Sequence, residues 1–96
     1  MKKNIKFKSA KEFGAFLGLS DVEMDLVKQK KLMIEKLIKA RKAQGLSQSV
    51  LASLCHTKQP AIARMESGLV SEVSLDFIAK VALILGVNLV VKRAAS

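Results

Sequence analysis

The sequence predicts an all-α protein of five helices, with an N-terminal helical extension and a short C-terminal β-strand. Three observations carry that prediction. Serines stand where helices would begin, at Ser9, Ser20, Ser47 and Ser74, and glycines where they would end, at Gly18, Gly45 and Gly86. A serine hydroxyl accepts a free N–H of the first helical turn, and glycine adopts the left-handed backbone that closes a last one. Between these markers apolar residues recur three and four apart, the spacing of a one-sided helix. Near the chain ends the pattern changes to alternation, the period of a strand.

In order along the chain, "NIKFK" at Asn4–Lys8 alternates and suits a short strand. Ser9 and Glu12 then have capping-box spacing, opening a short helix that runs to about Leu17. A second box, Ser20 with Glu23, opens a long helix over Asp21–Gln44, which has no Gly or Pro; a break near Gln29–Lys31 is the alternative. Its acids Asp21, Glu23 and Asp25 come first and its lysines later, matching the helix dipole. Ser47 caps a helix over about Gln48–Cys55, with Val50, Leu51 and Leu54 turned inward. Another follows over about Lys58–Ser67. Ser74 caps the last, Leu75–Leu85, whose inward stripe is Leu75, Ile78, Val81, Ala82 and Leu85. The tail "VNLVVK", Val87–Lys92, is β-branched and alternating, and is expected to be a strand.

The only proline, Pro60, lies inside the fourth of these segments. With Thr57 as N-cap it falls at the third helical position, where a missing N–H costs no intrahelical bond. It marks a start. At about 100° per residue, Ile62, Met65 and Leu69 share one side of this helix. Pro60, Ala63, Arg64 and Ser67 lie opposite, with Gln59 and Ala61 on the flanks. Small side chains allow close approach to an outer surface, and Gln and Arg are the types that pair with adenine and guanine edges.

Composition narrows the partners. Seventeen Lys and Arg against eight Asp and Glu give a formal charge of +9. That excess favours a polyanion, although composition alone does not separate DNA from RNA, an anionic membrane or an acidic protein. For any single lysine, a solvated helix face is the simpler account. No apolar run is long enough to span a bilayer, and the lysine-rich start lacks the apolar stretch of a secretory signal. The single cysteine permits no internal disulfide, and Cys55-His56 has no further Cys or His to complete a zinc site. A cytoplasmic, nucleoid-associated protein without metal or cofactor is expected. Enzyme chemistry is not: there is no Ser-His-Asp set, no phosphate-cradling loop, and one histidine.

The stretch Leu37–Gly68, which ends in "GLSQSVLASLCHTKQPAIARMESG", resembles the Cro/CI-type (XRE) helix-turn-helix domains. The matching residues are Arg41, Gly45–Gln48, Leu51-Ala52, Thr57, Gln59, Ile62 and Glu66–Gly68. The resemblance implies that Gln48 touches a phosphate and steadies Gln59, and that Lys58, Gln59, Pro60 and Arg64 enter the major groove. It places Ser67 and Gly68 where the backbone nears a phosphate. The expected DNA-binding set is Gln48, Thr57, Lys58, Gln59, Pro60, Ala61, Arg64 and Ser67. Arg41 and Glu66 match an internal ion pair of the family. Two positions depart from its pattern. His56 stands where glycine is usual in the turn, and Val50 where a glutamate would complete a capping box.

The expected organisation is residues 1–30 as extension and start of the long helix, 31–86 as the DNA-binding domain, and 87–96 as strand and tail. One small module binds weakly, so a homodimer on a palindromic operator is expected, through Val87–Lys92. That strand could instead pair with Asn4–Lys8 or cap its own core. The layout resembles HigA-type antitoxins, which repress their own operon and neutralise an mRNA-cleaving toxin. The resemblance implies a toxin partner, with Phe7, Phe13, Phe16 and Leu17 as candidates for its surface; packing on the protein's own core is the alternative. The leading function is a sequence-specific transcriptional repressor acting as such an antitoxin. The alternatives are a stand-alone phage-type or metabolic repressor and a protein-binding adaptor. An RNA reader is disfavoured by the lack of Trp and Tyr for base stacking.

Overall fold

The computed structural model describes residues 20–92, together with Glu12 and Gly18. The expected strand at Asn4–Lys8, the body of the Ser9–Leu17 helix and its phenylalanines lie outside the described residues. Within them are four α-helices, one 3-10 turn and no strand. The five-helix count and the C-terminal strand are thereby corrected.

Helix α1 spans Asp21–Ala43 without a break at Gln29–Lys31. Ser20 and Glu23 form the reciprocal box: the Ser20 N–H donates to Glu23 Oε1 at 3.0 Å, and the Glu23 N–H donates to Ser20 Oγ at 3.1 Å. The backbone N–H of Ser20, then its hydroxyl, hold the Glu23 carboxyl below the usual glutamate range. Helix α2 spans Gln48–Leu54 and α3 spans Gln59–Glu66. A 3-10 turn at Val70–Glu72 leads to α4, Leu75–Leu85. Ser47 Oγ accepts from the Val50 N–H at 3.0 Å, and Ser74 Oγ from the Phe77 N–H at 3.1 Å.

Each helix contributes one face to a single core. Met33, Ile34 and Leu37 come from α1, Ile62 and Met65 from α3, and Ile78, Val81, Ala82 and Leu85 from α4. From α2 and its end come Leu51, Ala52 and Cys55, not the expected Val50 and Leu54, which are 46% and 47% exposed. The buried side is turned by about one residue from the expected one, from Val50, Leu51 and Leu54 to Leu51, Ala52 and Cys55. Leu69 is 52% exposed because α3 ends at Glu66, so its spacing from Met65 does not continue. Leu75, the first residue of α4, stays partly exposed for a similar reason.

The tail shows why alternation misled. Val87 and Leu89 pack on the core while Val90 and Val91 face out. That is one-sided burial of an extended chain, and it needs no ladder. Two of its backbone groups bond side chains of α1: the Lys92 N–H donates to Gln29 Oε1 at 3.1 Å, and Asn88 O accepts from Lys36 Nζ at 2.8 Å.

Candidate nucleic-acid interface

The corner between α2 and α3 starts from three backbone bonds. The Cys55 N–H reaches Leu51 O at 3.0 Å, the His56 N–H reaches Ser53 O at 3.1 Å, and the Thr57 N–H reaches Ala52 O at 2.9 Å. The last two satisfy carbonyls at the end of α2 and reverse the chain. This requires positive φ at the turning residue, and His56 has φ +56°. Gly45 and Gly86 close α1 and α4 with the same pair of bonds. His56 does a glycine's work with a Cβ in place, at some strain.

Thr57 is therefore not the N-cap of α3. Its N–H is committed to closing α2, and Lys58, with extended backbone, takes the cap position without a side-chain bond. Pro60 sits second in the helix, not third. Either way its absent N–H lies among donors that have no intrahelical acceptor. The first helical bond runs from the Ala61 N–H to Lys58 O at 3.0 Å.

With Ile62 and Met65 fully buried, α3 turns Lys58, Gln59, Pro60, Arg64 and Ser67 outward. Ala61 and Thr57 are half-buried at the edge of that surface. A shallow groove lined by Ala61, Arg64, Glu72, Val73, Ser74 and Phe77 runs alongside. Ser67 Oγ donates back to Arg64 O at 2.7 Å, fastening the end of the helix.

Behind the surface, Arg41 Nε donates to Glu66 Oε2 at 2.7 Å and Nη2 to Oε1 at 3.0 Å, with the two side chains 11% and 8% exposed. A third guanidinium bond, Nη1 to Leu46 O at 2.7 Å, ties the loop after α1 to this pair. Gln48 Nε2 donates to Glu66 Oε1 at 2.9 Å, and Gln59 Nε2 donates to Gln48 Oε1 at 2.8 Å. Four side chains from three helices thus join the interior to the outer face of α3.

Sequence reasoning missed a second set of polar brackets. Lys30 Nζ donates to Val73 O at 2.7 Å, holding the chain between the 3-10 turn and α4, and Gln44 Nε2 donates to Leu85 O at 2.8 Å. A signal for Lys30 existed: Lys30, Ile34, Leu37 and Arg41 are spaced by four, three and four, so Lys30 shares the inward stripe.

Among the described residues no helix is long and apolar enough to cross a membrane, and no group of three or more His, Cys, Asp or Glu could hold a metal. Cys55 is buried, and burial pushes its thiol pKa up.

A family model described as helix-turn-helix matches residues 37–91, more than half of the chain, from within α1 through α4 into the tail. No curated protein and no solved structure matches the chain. Fold, corner and matched span agree, and the chain belongs to the Cro/CI-type (XRE) helix-turn-helix family of DNA-binding transcription regulators.

Proposed function

We propose that the chain is a sequence-specific repressor that lays α3 in the major groove of double-stranded DNA, with residues 31–86 as the reading module. The observation that supports this most directly is the outer face of α3. It exposes Lys58, Gln59, Pro60 and Arg64 over the buried Ile62 and Met65, and Gln48 holds the Gln59 amide from behind. In this reading Gln59 and Arg64 meet base edges. Pro60 and Ala61 offer apolar contact, for instance to a thymine methyl, and Lys58, Thr57, Gln48 and Ser67 meet phosphates. Arg41 and Glu66 keep the module folded.

A homodimer places two such helices about 34 Å apart on a palindromic site. Its contact is the segment Val87–Lys92, where Val90 and Val91 are 63% and 65% exposed. The biological setting we favour is an antitoxin that represses its own operon; the stretch 1–30 ahead of the module supports it, as extra chain available to a toxin. Selection from random duplex DNA, combined with co-purification from cells, tests both levels. Recovery of a palindrome supports the repressor, and a small ribonuclease-like protein held by residues 1–30 supports the antitoxin. A palindrome without such a partner leaves a stand-alone repressor. Failure to enrich any duplex sinks the DNA reading altogether.

A further inference from the structure

We propose that Glu72, which lies outside α3, is a further specificity residue: it tests the base pair next to the one Arg64 reads for the N4 amino group of cytosine. This rests on the reading in which Arg64 meets a base edge. The shallow groove beside α3 has one positive and one negative side chain in its lining, Arg64 and Glu72, with Ala61 and Phe77 among the others. A duplex that seats Arg64 therefore also meets Glu72.

Glu72 is exposed, and among the described residues no cation or donor pairs with its carboxylate. An ionised carboxylate can only accept hydrogen bonds. Beside a phosphate it repels, and beside thymine O4 or guanine O6 it meets another acceptor. Cytosine N4 gives it a donor. Adenine has a donor too, but its N7 acceptor lies alongside. Arginine makes the opposite demand, for the two acceptors of guanine. The turn that carries Glu72 is held on both sides. The Glu72 N–H donates to Leu69 O at 3.0 Å, and the Val73 N–H to Val70 O at 3.2 Å. From α1, Lys30 Nζ donates to Val73 O at 2.7 Å and to Val70 O at 3.4 Å. Ser74 Oγ is committed to capping α4. The carboxylate is thus offered to the groove from a set place, braced by a lysine that stands ahead of the matched span 37–91.

The test uses the full chain and the duplex recovered by selection. The base pair whose preference Arg64→Ala relaxes is the one Arg64 reads. At an adjacent pair the wild type should favour cytosine over thymine by about tenfold, and Glu72→Ala should bring the two to within about twofold. Glu72→Gln should move that preference toward adenine, which matches an amide. Random duplex, by contrast, should bind Glu72→Ala about threefold more tightly at low salt, as when one charge is removed about 7 Å from a phosphate in water. Looser choice with tighter random binding is not what loss of a merely structural residue produces. Tighter binding with every preference intact would set Glu72 against phosphates only and overturn the proposal. An even loss of affinity over all duplexes would overturn it as well, and both results leave the DNA reading standing. No enriched duplex, or an Arg64→Ala protein with unchanged preferences, removes the reading of Arg64 itself and this proposal with it.

Discussion

Arg64 and Lys58 carry the same charge and should fail differently when removed. An arginine on a base edge contributes to discrimination, so Arg64→Ala should weaken operator binding by about 1–3 kcal/mol and relax one base pair. Titration against single-base variants checks this; an equal loss on random duplex would move Arg64 to the backbone. Lys58→Ala should instead lower the slope of log K against log salt by about 1, with sequence preference kept. Inside, Glu66→Ala would take two of the three hydrogen bonds described above from the Arg41 guanidinium, whose side chain is 11% exposed, and leave the one to Leu46 O. That should cost about 3–5 kcal/mol in urea unfolding, since an unpaired buried charge is worse than no charge. Cys55 gives a pH signature. Its folded pKa is raised by burial, so the unfolded chain ionises first and stability should fall as pH climbs past the ordinary thiol value. Thiol reagents should label it slowly until the protein unfolds. Arg41 and Glu66 were legible because both recur at matched positions of a motif, whereas Lys30 was masked by seventeen Lys and Arg that mostly face water.

Helix ends were read well from the sequence, because each is fixed by one or two local residues. Ser20, Ser47 and Ser74 all cap as their positions imply, and Gly45 and Gly86 close helices with positive φ. The box at Ser20 has its own pH limit. Glu23 titrates below its ordinary value, so what it adds is present above that value and fades as acid reaches the folded pKa. What could not be read locally was which apolar side of α2 faces in, because α3 decides it, and the tail's lack of a ladder, because α1 supplies its partners. Thr57 was misplaced for a related reason: the end of α2 and the start of α3 compete for it. His56 is the residue out of step among the helix ends. His56→Gly should relieve left-handed strain and raise stability by about 0.5–1 kcal/mol, the steric gain exceeding glycine's entropic cost. A shift of the urea midpoint at unchanged m-value measures it, and a drop would mean that the imidazole makes a contact worth more than the strain.

On the scale of the whole molecule, the tail and the reading helix hang from one rod, α1, which reaches the first through Gln29 and Lys36 and the second through Arg41. If Val90 and Val91 meet a second copy, replacing both by lysine should dissociate the dimer in sedimentation while monomer stability changes by less than about 0.5 kcal/mol, as for other surface positions. A dimer that survives would put its contact elsewhere. The rod is also uneven. None of its residues before Met33 is fully buried, so about 18 Å of helix precedes the common core, pinned at Gln29 and Lys30 and capped at its tip by Ser20 and Glu23. Deuterium should therefore enter this one helix as a gradient, filling the amides of Leu26–Lys28 within the earliest time points and those near Leu37 only when the entire chain opens. Two clocks in a single helix give a built-in ruler. Whatever grips residues 21–29 in the cell will slow the fast clock without touching the other.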